Sequence, residues 1–129
     1  MKKNKVLVAG CFNRIHPGHI YLFKEAKKLG KKLIVIITND TNNNKSIKTP
    51  AIDRMKMLKE IKIIDKVIVG EKNDFTKIFL KEKPNALALG YDQSIPKSFL
   101  SLWNSKIYHK LDIVRIKKYK DYHTCNQKD

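Results

Sequence analysis

The chain has 129 residues, of which 42% are hydrophobic, enough for one domain with one core. Its longest apolar runs, such as Leu33 to Ile37, are far too short to cross a bilayer, and the N-terminal lysines lead into no long apolar stretch. A soluble, cytoplasmic protein without membrane contact is therefore the expectation. Lys and Arg number 28 against 12 Asp and Glu, a net charge of +16, but the lysines are scattered through every segment and form no stripe. Solvated lysine faces explain that charge better than a nucleic-acid footprint. The only cysteines, Cys11 and Cys125, make no disulfide framework, and no Cys/His spacing suggests a zinc site.

Strands and helices alternate along the chain. Lys5 to Ala9 is predicted as a strand, followed by a loop, Gly10-Cys11-Phe12-Asn13-Arg14, and then His16-Pro17-Gly18-His19. Ile20 to Leu29 is predicted as a helix stopped by Gly30. Leu33 to Thr38 is a second apolar strand, and Asp40 to Pro50 a polar, asparagine-rich loop. Asp53 to Ile61 is predicted as a helix with Met55, Leu58 and Ile61 on one face. Lys66 to Val69 is a short strand closed by Gly70. Asp74 to Lys83 is a helix with Phe75, Ile78 and Phe79 inward, ended by Pro84. Ala86 to Leu89 is a fourth strand leading to Gly90-Tyr91-Asp92-Gln93. Lys97 to Ser105 is a further helix, and Asp112 to Ile116 a fifth strand.

Continuous apolar strands separated by helices imply a parallel sheet covered on both faces, with right-handed crossovers. Ligands then bind beyond the carboxyl ends of the strands, where the strand order reverses. Those ends carry Gly10 to His19, Thr38 to Pro50 and Gly90 to Gln93, the most polar loops of the chain. The whole of residues 1–129 reads as one domain.

The pair His16 and His19 opens a helix directly after a strand and a glycine loop. Free N–H groups and the positive dipole end of that helix would attract an anion, and imidazoles add donors that follow charge building on phosphorus. Other readings of the pair are a metal site, which lacks a third ligand at helical spacing, an acid–base pair, or a capping or packing role. GxGxxG and GxxxxGK[ST] are both absent, which disfavours a dinucleotide fingerprint and a P-loop. Lys45 and Lys48 sit on a loop able to close over a triphosphate. Arg54, one of only three arginines, has the geometry to bind phosphate with two parallel bonds. Asp92 suits a ribose hydroxyl, a base, a metal or a turn cap, and Trp103 suits core or interface packing.

Gly10-Cys11-Phe12-Asn13-Arg14-Ile15-His16-Pro17-Gly18-His19 resembles the GxFDxxHxGH signature of the cytidylyltransferase-like nucleotidyltransferases. Asp40, Lys45, Lys48, Pro50, Arg54 and Asp65 follow in the family's order, and the resemblance runs from about residue 5 to 125. The HPGH form, the run from Ala86 to Gln93 and the tail Tyr119-Lys120 to His123-Thr124-Cys125 are similar to the archaeal FAD synthase branch. Asn13 stands where the signature has aspartate and Cys11 where threonine is usual. Asp129 ends the chain where the family's last helix continues.

The resemblance implies a Rossmann-like doubly wound five-stranded parallel sheet with helices on both faces. It implies transfer of a nucleoside monophosphate from a nucleoside triphosphate to a phosphate acceptor, with ATP and FMN giving FAD. The alternatives are CTP with glycerol 3-phosphate or another polyol phosphate, and a relative that binds nucleotide without catalysis. On this resemblance His16, His19, Lys48 and Arg54 are catalytic, with Arg54 supporting the lysine loop or the acceptor. Gly10, Cys11, Phe12, Asn13, Gly18, Lys45, Gly90, Asp92 and Thr124 line the nucleotide site. Magnesium accompanies the triphosphate, no residue is assigned as a dedicated metal ligand, and the chain pairs as a homodimer. A flavin ring would want an aromatic slot, for which Tyr91, Phe99, Trp103 and Tyr119 are candidates. Cys11 and Cys125 would lie close together near the phosphates.

Overall fold

The computed structural model describes residues 3–40, 49–70, 76–91 and 112–117. In chain order the elements are β1 (Lys3–Gly10), α1 (Pro17–Lys27), β2 (Gly30–Ile37), α2 (Ala51–Lys59), β3 (Lys66–Val69), α3 (Thr76–Glu82), β4 (Ala86–Leu89) and β5 (Asp112–Arg115). The five strands form one sheet in the order β3-β2-β1-β4-β5, and every pairing is parallel. Parallel neighbours need crossovers, and α1, α2 and α3 lie in the connections from β1 to β4. No helix among the described residues is long and apolar enough to cross a membrane. The predicted helix at 97–105 lies outside the described residues.

Alternate residues of each strand point to opposite faces, and both faces are apolar. On one face Val6, Val8, Leu33, Val35, Ile37, Val67, Ala86 and Ala88 pack with Leu22, Phe23 and Ala26 of α1 and Leu58 of α2. On the other, Leu7, Ile34, Ile36, Leu87 and Leu89 pack with Ile78 of α3. This two-sided burial is why the strands read as unbroken hydrophobic runs.

Several element ends differ from the sequence expectation for local reasons. α1 begins at Pro17, not Ile20, because His16 caps it and Pro17 takes the first helical position, where no N–H is needed. β2 begins at Gly30, which is a buried strand residue paired opposite Lys3 and not a helix stop. α2 begins at Ala51, immediately after the extended Pro50. β3 and β4 have the predicted limits. Of the residues expected to point inward from α3, Ile78 does so, and Phe75 lies outside the described residues.

Strand order reverses between β1 and β4, which are neighbours although six elements apart in the chain. The loops after β1, β2 and β4 therefore converge at one end of the sheet. The opposite end is closed by charge. Glu82, buried, accepts from Lys66 Nζ at 2.7 Å and Lys5 Nζ at 3.3 Å, tying the end of α3 to the starts of β3 and β1.

Candidate nucleotide-binding site

At the carboxyl end of β1 the chain turns sharply. Phe12 has φ of 52°, in the left-handed region that costs a non-glycine residue on the order of 1–2 kcal/mol. Packing offsets that cost. The Phe12 ring is 1% exposed, meeting His19 edge-on with centroids 5.2 Å apart and Phe23 at 5.3 Å. The ring of Phe12 is thus core, and only its backbone follows the loop.

His16 and His19 form a reciprocal cap. Gly18 N–H donates to His16 Nδ1 at 3.0 Å, and His16 N–H donates to His19 Nδ1 at 3.3 Å. The two rings stack, with centroids 3.8 Å apart and planes 20° from parallel. Because each Nδ1 accepts a backbone hydrogen bond, the proton of each neutral ring belongs on Nε2, an assignment made from the hydrogen bonds. His19 is buried, and its Nε2 has no partner among the described residues. Burial first, and then the neighbouring His16, push the His19 pKa down to about 3. His19 is therefore a neutral donor at pH 7.

The cap changes one expectation. The first-turn amides are not open to an anion: Gly18 N–H goes to the His16 ring and His19 N–H to the His16 carbonyl at 2.9 Å, while Pro17 has none. What this end of α1 presents is the helix dipole, while the Nε2 atoms of both imidazoles lie buried behind it.

Among the described residues Arg54 is the largest fully buried side chain. Its Nε donates to the Thr49 carbonyl at 2.7 Å, and one terminal nitrogen donates to the Cys11 carbonyl at 2.8 Å and to Thr38 Oγ1 at 3.2 Å. The other terminal nitrogen reaches Asp40 Oδ1 at 3.3 Å. A guanidinium with no exposed surface, spent on protein acceptors, is not presented for two-bond phosphate binding. In place of that expectation the structure has a positioning residue that joins the loops after β1 and β2. Asp40 Oδ1 also accepts the Ala51 N–H at 2.8 Å, capping α2 where Pro50 has no side chain to do so.

Asn13 closes the ring. Its side-chain oxygen accepts the Thr49 N–H at 3.0 Å, and its carbonyl accepts Thr49 Oγ1 at 2.9 Å. Asn13 is 5% exposed, so it holds the β2 loop against the histidine loop. Gly10 lies at the base, its carbonyl accepting Thr38 N–H. Gly18 is buried in the first turn of α1, and Cys11 is half-buried. Gly90 is buried, and Arg115 donates to the carbonyls of Gly90 and Tyr91 at 3.0 and 3.2 Å, fixing the start of the β4 loop.

The structure thus gathers Gly10, Cys11, Phe12, Asn13, His16, Gly18, His19 and Arg54 around one loop system, with Gly90 on the adjacent strand. Lys45, Lys48, Asp92, Thr124 and Cys125 lie outside the described residues, as do Phe99, Trp103 and Tyr119. The sequence reading missed Thr49 and Arg115 as organisers. For Thr49 no signal existed; for Arg115, scarcity of arginine and a place at a strand end were the signal.

The Cytidylyltransferase-like family description matches residues 7–125. An FAD synthase of Thermoplasma volcanium is 36% identical over 118 residues, covering 89% of this chain and 83% of that protein. An FAD synthase of Ferroglobus placidus is 36% identical over 124 residues, covering 95% and 82%. Among solved structures, one described as the lipopolysaccharide core biosynthesis protein of Thermoplasma volcanium superposes with a TM-score of 0.80 at 35% identity, covering 92% of this chain and 99% of that one.

Proposed function

The chain belongs to the cytidylyltransferase-like family, and on that premise we propose that it transfers the adenylyl group of ATP to FMN, forming FAD and releasing pyrophosphate. The observation that carries the reading is the His16/His19 pair: two stacked imidazoles, their donors on Nε2, at the positive end of α1. The FAD synthase relatives support ATP and FMN as the substrates.

In this reading a phosphate oxygen of FMN attacks the α-phosphorus of ATP. A new P–O bond forms, and the bond from the α-phosphorus to the bridging oxygen breaks, with the electron pair leaving on pyrophosphate. Negative charge spreads over the non-bridging oxygens of the α-phosphate, where preorganised donors stabilise it most. His16 and His19 supply those donors. Stacking and the shared cap hold the rings before substrate arrives, so little reorganisation is needed during the reaction. His19, neutral at pH 7, acts as a donor without passing its proton on. Arg54 and Asn13 set the loops that shape the pocket. Lys45 and Lys48 meet the triphosphate, and Gly90, Asp92 and Thr124 border the nucleotide.

Magnesium belongs to the same proposal. Its support is the family resemblance, in which the ion accompanies the triphosphate. When bound, it would supply positive charge to offset that on the departing pyrophosphate. The homodimer and the cytoplasmic setting are likewise proposed, on the family resemblance.

The test is pyrophosphate release with magnesium, offering ATP or CTP against FMN and glycerol 3-phosphate. Release with ATP and FMN, with FAD as product, supports the reading. Release only with CTP and the polyol phosphate replaces it with the cytidylyl alternative. Nucleotide binding without release from any pair makes the chain a non-catalytic relative.

A further inference from the structure

Beside His16 a groove of about 450 Å³ runs along α1, lined by Ile15, His16, Pro17, Ile20, Tyr21 and Lys24. Pro17, Ile20, Tyr21 and Lys24 fall at i, i+3, i+4 and i+7, so they share one stripe of the helix. That stripe is distinct from the core-facing set His19, Leu22, Phe23 and Ala26. Ile15, Ile20 and Tyr21 are partly buried against the main core and keep apolar surface toward the groove. The volume lies in the range of small-molecule pockets, which are mostly apolar with a few placed polar groups.

We infer that this groove is the acceptor subsite, with the phosphate of FMN at the His16 end and its planar ring laid along Ile20 and Tyr21. The inference rests on the proposed adenylyl transfer to FMN. Three features support it. First, the groove contains His16, so an acceptor seated there has its phosphate beside the group proposed to stabilise the reacting α-phosphate. Second, the length fits. From residue 16 to residue 24 a helix rises about 12 Å, enough for a phosphate, a ribityl chain and the near part of a tricyclic ring. Third, the charges fit. The phosphate end carries the positive pole of α1, Lys24 stands at the other end where the ring's carbonyl edge would lie, and none of the described residues lining the groove is acidic. A side chain with an aromatic face at Tyr21 gives the ring a stacking partner. This slot differs from the aromatic set expected from sequence, of which Tyr91 alone is described.

The experiment titrates FMN, and separately riboflavin, onto the full chain by flavin fluorescence, and measures KM for FMN and for ATP. Riboflavin lacks the phosphate and so reads the ring contact alone. Tyr21→Ala is expected to weaken both flavins and raise KM for FMN about tenfold, leaving KM for ATP within about twofold, while Tyr21→Phe stays near wild type. Lys24→Glu, at an exposed position that does not threaten folding, is expected to raise KM for FMN by several-fold. The subsite is overturned if riboflavin does not bind the wild-type chain. It is equally overturned if FAD forms normally and both Tyr21→Ala and Lys24→Glu keep wild-type affinity for flavin. If flavin binds and the variants weaken it while no FAD forms, the groove stands and the proposed reaction falls.

Discussion

The imidazoles of His16 and His19 lie face to face, 3.8 Å between centroids, each with its Nδ1 turned to a backbone N–H at the start of α1. In the proposed reaction one side chain does two jobs: Nδ1 caps the helix, as the structure has it, and Nε2 is the proposed donor to the α-phosphate. Two substitutions of His16 separate the jobs. Asparagine is a strong N-cap and can accept the Gly18 N–H, so His16→Asn should melt near the wild-type temperature. It lacks the imidazole donor, so its rate of pyrophosphate release should fall about 100- to 1,000-fold. His16→Ala should lose the same activity and also about 1 kcal/mol of stability. Thermal melts beside rate measurements check this, and an asparagine variant with wild-type rate would end the donor assignment.

His19 makes a prediction about pH. Its pKa is near 3 in the folded chain against an ordinary value of 6.5. Between those values the unfolded chain takes up a proton that the folded chain refuses. Stability therefore falls as pH drops from 6.5 toward 3. His19→Gln keeps an acceptor for the His16 N–H but has nothing to titrate, so its urea midpoint should depend less on pH in that window. The pH profile of kcat/KM, which reports the free enzyme, should show no limb from His19 between pH 5 and 8.

The architecture was legible because burial on both faces leaves a plain mark: apolar runs such as Leu33 to Ile37 between helical patterns. The histidine loop was legible because its residue types are rarely combined by chance in that order. The start of α1 was misjudged because apolar periodicity begins only at Ile20, whereas the cap at His16 and the proline at the first position decide the boundary. The hydrogen-bond partners of Arg54 were not legible for a different reason. Ala51, Arg54 and Leu58 form the buried stripe of α2, so an arginine stood at an apolar position in the pattern. Its partners are backbone carbonyls and short polar groups on distant loops, which only the folded chain brings within reach. Asn13 is similar: its hydrogen bonds to Thr49 span 36 residues and leave no local pattern.

Removing Arg54 should be costly. Arg54→Met keeps much of the volume but leaves the Thr49 and Cys11 carbonyls and Thr38 without their donor, at about 1–3 kcal/mol for each buried group left unsatisfied. Arg54→Lys puts its donors on a single nitrogen and cannot span acceptors on both sides of a planar fork. The lysine variant should fold with lowered stability and retain kcat better than the methionine variant. Both should raise KM for ATP, because the loops after β1 and β2 lose their common anchor. Wild-type KM for ATP in a folded Arg54→Met chain would show that the anchor has no bearing on the site.

Asn13→Asp tests the departure from the family signature. The aspartate keeps an oxygen that accepts the Thr49 N–H, so the loop contact survives and the protein should fold. Its charge is introduced at a position 5% exposed, with the Arg54 network nearby to offset it. Pyrophosphate release should stay within about tenfold of wild type, since one preserved hydrogen bond offsets most of the desolvation. Asn13→Leu, which has no acceptor, should lose the contact and cost about 1–3 kcal/mol. Urea melts and rates on the two variants check the pair, and equal damage from both would mean that the amide group itself is required.

At the far end of the sheet Glu82 should control acid sensitivity without touching the chemistry. Hydrogen bonds and charge from Lys66 first, and then from Lys5, outweigh the effect of burial and hold its pKa below the ordinary 4.5. A depressed carboxylate contributes stability that is fully present above 4.5 and lost as pH falls through the lower folded value. Glu82→Gln keeps the shape but removes the charge, leaving two lysines facing a neutral amide. The variant should be less stable than wild type at pH 7 by about 1–3 kcal/mol, and the difference should shrink below pH 4 as the wild-type carboxylate takes up its proton. Rates at pH 7 should match wild type, because Lys5, Lys66 and Glu82 bind the amino ends of β1 and β3 and the histidine loop leaves the carboxyl end. Urea midpoints at pH 7 and pH 3.5 decide it: a difference of the same size at both values would show that packing, and not charge, holds α3 to the sheet.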